Sequence, residues 1–103
     1  MISPKNKFSV TAKIWLYPAE NASWHFITIP KDITLRIREI KPKTPRGWGS
    51  VRVSAKIGKT LWDTSIFPDT RSDTYILPVK ASVRHAEGLF EGDTVHFTFT
   101  LRV

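Results

Sequence analysis

The stretch LPVKASVRHAEGLFEGDTVHFTFTLRV, Leu77 to Val103, decides the fold. At its end Val95, Phe97, Phe99, Leu101 and Val103 alternate with Thr94, His96, Thr98, Thr100 and Arg102, the period of a strand with one buried face. Upstream, Val79, Val83 and Ala86 fall at i, i+4 and i+7, which predicts a proline-led helix laying one apolar stripe on the core that this strand helps to build. Gly88 offers the helix a stop, and Gly92-Asp93 offers a turn into the strand.

Working outward, the remaining residues divide in the same manner. Phe8 to Tyr17 alternates as a strand, Pro18 to Asn21 reads as a turn, and Trp24 to Ile29 returns antiparallel. Lys31 to Ile40 fits either a helix through Ile33, Ile37 and Ile40 or a strand through Ile33, Leu35 and Ile37. Pro30 and Asp32, suited to a first helical turn, favour the helix. After the loop Lys41 to Gly49, Ser50 to Ile57 is a strand, Gly58-Lys59 a hairpin turn, and Thr60 to Phe67 its partner. Asp73 to Leu77 completes the strands.

The expected class is therefore mostly β with two short helices. The pairs Ile29-Pro30 and Leu77-Pro78 stand 48 positions apart, each followed six residues later by an arginine, Arg36 or Arg84. That spacing suggests two pseudo-repeated ββαβ halves, about 8–57 and 60–103, closing as a double-split β-barrel behind a basic flexible tail of residues 1–7. A chain of 103 residues holds one such core and not a second.

Composition removes several chemistries. The sequence has no cysteine, so a disulfide framework, a thiol nucleophile and a thiolate zinc site are excluded. MISPKNK lacks the apolar run of a secretory signal, and no stretch suits a membrane helix, so the cytoplasm is the expected compartment. His25, His85 and His96 lie on different elements, and no serine sits in a nucleophile elbow. Neither an enzyme nor a cofactor site is expected.

Five segments carry a resemblance: the Trp24 strand ending at Pro30, GWGSVRVSAKIG (Gly47–Gly58), SIFPD (Ser65–Asp69), YILPVKASVR (Tyr75–Arg84) and EGLFEGDTV (Glu87–Val95). In order and over nearly the whole chain they resemble the family catalogued as domain of unknown function nineteen-oh-five. The resemblance implies a split barrel of two pseudo-repeated halves, joined in some members to a further small domain. It transfers no catalytic residue, since the family has no established activity. Leu77-Pro78, Arg84, Gly88 and Glu91-Gly92-Asp93 are more loosely similar to swapped-hairpin regulators of the AbrB type, which bind DNA as dimers of the half-unit. One chain holding both units would lack the two-fold symmetry that palindromic operators require.

Charge supplies the leading functional expectation. Lys31 to Lys59 holds nine cations against Asp32 and Glu39, a net +7 that equals the formal charge of the whole chain. Lys41, Lys43, Arg46, Arg52, Lys56 and Lys59, with Trp48 for stacking, are the candidate nucleic-acid or polyanion strip. The plainer reading is that solvated cations keep a small domain soluble. A second candidate is a small-molecule or peptide pocket in the barrel built on Trp15, Trp24, Trp62 and Tyr75, residues that serve equally well as core or cross-strand pairs. A monomer or weak homo-oligomer is expected, with a partner protein or domain as a further possibility and no membrane partner.

Overall fold

The computed structural model describes residues 6–17, 24–40 and 49–102. Its elements are β1 (Lys7–Leu16), β2 (His25–Thr28), α1 (Lys31–Ile40), β3 (Val51–Ile57), β4 (Thr60–Asp69), β5 (Thr74–Pro78), α2 (Ala81–Glu87) and β6 (Thr94–Leu101). All strand pairs are antiparallel and close a barrel in the order β1-β2-β5-β4-β3-β6. Exchanging the two ββαβ runs, β1 for β4, β2 for β5 and β3 for β6, returns the same cyclic order.

Alternation sends one face of each long strand inward. Phe97, Phe99 and Leu101 of β6, Val53 and Ala55 of β3, and Ile14 of β1 are each about 1 % exposed or less. Trp62 and Ile66 of β4 fill the same interior, with Ala55 directly opposite Trp62. The small residue leaves room for the indole, so this interior holds large and small side chains in complementary positions.

Residues 31–40 form a helix. Thr34 and Ile37 are fully buried and Ile33 and Ile40 pack against the core, whereas Leu35 is exposed, as a 3.6-residue period requires and a strand would forbid. The Thr34 hydroxyl donates to the Ile29 carbonyl at 3.4 Å and accepts from the Tyr75 amide at 3.2 Å, so it ties the helix to β5.

In the deciding stretch the strand and its turn form as expected, but the helix is shorter. Pro78 ends β5, α2 begins at Ala81, and only Val83 of the helix is buried. Val79 precedes the helix and is buried from there, while Ala86 faces solvent. The expected apolar stripe is thus split between a linker and a helix of seven residues. Gly88 caps it in the left-handed region, φ 64° and ψ 43°, where L side chains are strained.

Candidate functional site

The register of β1, β6 and β3 defines one outward face. Lys7, Ser9, Thr11 and Lys13 of β1 stand beside Thr100, Thr98, His96 and Thr94 of β6. Ser54 and Lys56 of β3 lie against the other side of Thr100 and Thr98, and the Arg102 amide donates to the Arg52 carbonyl at 2.9 Å. Neither described helix pairs extensively with these three strands; α1 packs on β5 and α2 on β4. The result is a hydroxyl-rich sheet surface bearing Lys7, Lys13, Arg52, Lys56 and Arg102, all exposed.

Acidic groups at this surface are few. Asp63, across from Ser54 on β4, accepts from Ser54 Oγ at 2.9 Å and from Arg102 Nη1 at 2.8 Å. Glu91 and Asp93 bound the face where the turn before β6 meets Ile14. Among the described residues, Lys7, Lys13, Arg52 and Lys56 pair with no carboxylate. The Thr11 hydroxyl and His96 Nδ1 are hydrogen bonded at 2.9 Å across β1 and β6.

The structure thus brings Arg52 and Lys56 of the expected strip to one surface. Lys41, Lys43, Arg46 and Trp48 lie outside the described residues. Lys59 sits at the hairpin turn beside an acid, its amide donating to Glu87 Oε2 at 3.3 Å. Lys7, Lys13 and Arg102 were missed because they belong to β1 and the end of β6, which become neighbours of β3 only through the barrel order. Nothing in their local sequence announces that proximity.

Other cations of the basic segment are engaged elsewhere. Lys31 Nζ bonds to Asp73 Oδ2, and Arg38 Nη2 donates to Asp73 Oδ1 at 2.8 Å, clamping α1 to the turn between β4 and β5. The hydrogen bond from Lys31, then that from Arg38, hold the Asp73 carboxyl below its ordinary range. Arg36 lies over the Phe8 ring at 5.2 Å.

The four aromatic residues of the expected pocket fall in different surroundings. Trp62 is 8 % exposed and Tyr75 3 %, both inside the barrel, because their strand registers turn them toward the core. Burial raises the phenol pKa of Tyr75, with the nearby Arg38 charge acting the other way. Trp15 is half-buried against Phe26 and donates from Nε1 to Thr28 Oγ1 at 2.9 Å. Of the four, Trp24 lines a cavity that lies outside the barrel. It is a groove of about 550 Å³ over β2 and β5, lined chiefly by Tyr17, Trp24, Phe26, Phe67, Ile76 and Pro78. Ile76 and Pro78 were missed because β5 is apolar at nearly every position, which conceals its two-residue period.

Among the described residues no group of three or more histidine, cysteine, aspartate or glutamate side chains is arranged to hold a metal ion. No described helix is long and apolar enough to cross a membrane. Fold and surfaces together define a small closed antiparallel barrel with two short helices. The family model described as Domain of unknown function (DUF1905) matches residues 11–99, and the chain belongs to that family. A search of curated proteins returns no match.

Proposed function

We propose that this is a non-catalytic binding domain of the cytoplasm that captures an anionic partner, nucleic acid in particular, on the outer face of β1, β6 and β3. The observation that carries the reading is the convergence of Lys7, Lys13, Arg52 and Lys56 on one uncovered sheet surface without carboxylate partners among the described residues. Strand spacing makes the surface broad enough for a phosphate chain: Arg52 and Lys56 are about 13 Å apart along β3, and β1 lies about 10 Å to the side.

The mechanism is displacement of counterions by these cations, with the threonine and serine hydroxyls donating to phosphate oxygens. Among the described residues this face presents strands and no helix to insert into a major groove, so it would contact backbone and tolerate sequence. The domain acts as a monomer or weak homo-oligomer, because phosphate capture on one face needs no second copy.

The test is fluorescence polarisation with labelled single-stranded and duplex oligonucleotides at low salt. Binding should weaken in the double variant Arg52→Ala, Lys56→Ala. Absence of binding to all of the oligonucleotides overturns the proposal.

A further inference from the structure

The groove over β2 and β5 has two unlike ends. Along most of its length the walls are aromatic and apolar; Trp24 and Phe26 are stacked with centroids 6.3 Å apart and planes 10° from parallel. Trp24 remains 57 % exposed and Tyr17 40 %. Exposed aromatic groups gathered in one concavity are a costly arrangement for a surface that meets only water. At the α2 end a second recess of about 230 Å³ adjoins the groove, sharing Trp24, Pro78 and Lys80 with it. This recess adds Arg84, whose Nε donates to the Val79 carbonyl at 3.1 Å. That bond fixes the guanidinium, and its terminal nitrogens bond to nothing among the described residues. Among the described residues neither cavity has a carboxylate in its lining.

We infer that the two cavities form one binding site for a small aromatic anion, its ring system on Trp24 and Phe26 and its carboxylate between Lys80 and Arg84. The volume of the groove falls within the range of small-molecule sites, about 300–1,000 Å³. The apolar walls supply affinity for a planar body, while the cationic recess selects the charged head and fixes its direction. Arg71, from the turn before β5, lies over Tyr17 at 4.8 Å and over Trp15 at 5.5 Å. It stacks on the far rim of the aromatic wall and so helps to hold Tyr17 in place.

This site is separate from the cationic sheet face, so the two proposals fail separately. The probe is 2-naphthoate, titrated against tryptophan fluorescence and amide chemical shifts, with 2-naphthylmethanol as the neutral ligand of the same ring. Naphthoate should bind at least about tenfold more tightly than the alcohol, as a charge-assisted hydrogen bond of about 1.5–3 kcal/mol implies. Lys80→Ala with Arg84→Gln should bring naphthoate down to the affinity of the alcohol. Trp24→Ala should weaken both ligands, and Arg52→Ala with Lys56→Ala neither. Equal affinity for the two ligands, or naphthoate binding unchanged by Trp24→Ala, or shifts confined to other surfaces, overturns the inference. Lys80 and Trp24 are both exposed, so their replacement tests the site without emptying the core.

Discussion

Glycine at position 58 answers to two constraints at once. Its φ is +57°, and a Cβ placed there would fall on the Glu87 carboxylate, which bonds to the Thr60 hydroxyl at 2.6 Å and so docks the end of α2 on the β3–β4 turn. Gly92 has φ +91° and open space around the same position. Gly92→Ala should therefore lose only the backbone term, about 1–2 kcal/mol, whereas Gly58→Ala adds the broken Glu87 contact and should lose about 2–3 kcal/mol. Urea denaturation of the two variants measures the difference. Thr34 is the second residue of this kind, because valine has the same shape without the hydroxyl. Thr34→Val leaves the Tyr75 amide without its partner inside the protein and should cost about 1–3 kcal/mol by the same measurement.

At the level of elements, α1 is held from two directions: Thr34 from beneath, and Asp73 of the β4–β5 turn through Lys31 and Arg38. A carboxylate whose pKa is depressed in the folded state adds stability above its unfolded pKa. That contribution disappears as pH falls through the depressed value. Stability of the wild type should then decline below about pH 4 more steeply than that of Asp73→Asn, with the two curves parallel near neutrality. The pair is exposed, so the difference should be modest and should shrink in high salt. Elements with long alternation were legible from residue order alone: Val51 to Ile57 and Thr94 to Leu101 adopt the strands their patterns announce. Periodicity left residues 31–40 as helix or strand, since three isoleucines and a leucine satisfy both periods, and only Pro30 and Asp32 favoured the helix that forms. The buried Thr34 was not legible, because no hydrophobicity pattern would nominate a threonine. The inward choice on β4 was hidden for a similar reason: Leu61, 70 % exposed, looks more like a core residue than its neighbour Trp62.

Taken as a whole, the molecule places its charge by closure. Sequence located the excess in residues 31–59, but Lys31 and Arg38 are spent on Asp73, and the open surface draws Lys7 and Lys13 from a segment that looked unremarkable. Which strands become neighbours is decided by tertiary pairing, and that is why the second half of the cationic face could not be read beforehand. Lys7, Lys13, Arg52 and Lys56, unpaired among the described residues, imply a dependence of log K on log salt of about −2.8 for single strands and −3.6 for duplex if each meets a phosphate. Raising salt from 50 to 200 mM should then weaken binding about 50- to 150-fold. Replacing Lys7, Lys13, Arg52 and Lys56 with glutamine should flatten that dependence while moving the melting temperature little, because all four are solvated.

The seat of β6 between β1 and β3 also governs when the domain can assemble. A growing polypeptide emerging from the ribosome has both flanking strands long before the one that joins them. Until residue 101 is clear of the exit tunnel, two hydrogen-bonding margins stay open, and the interval before Phe97 and Phe99 arrive is the period in which a nascent chain is most exposed to pairing with a stranger.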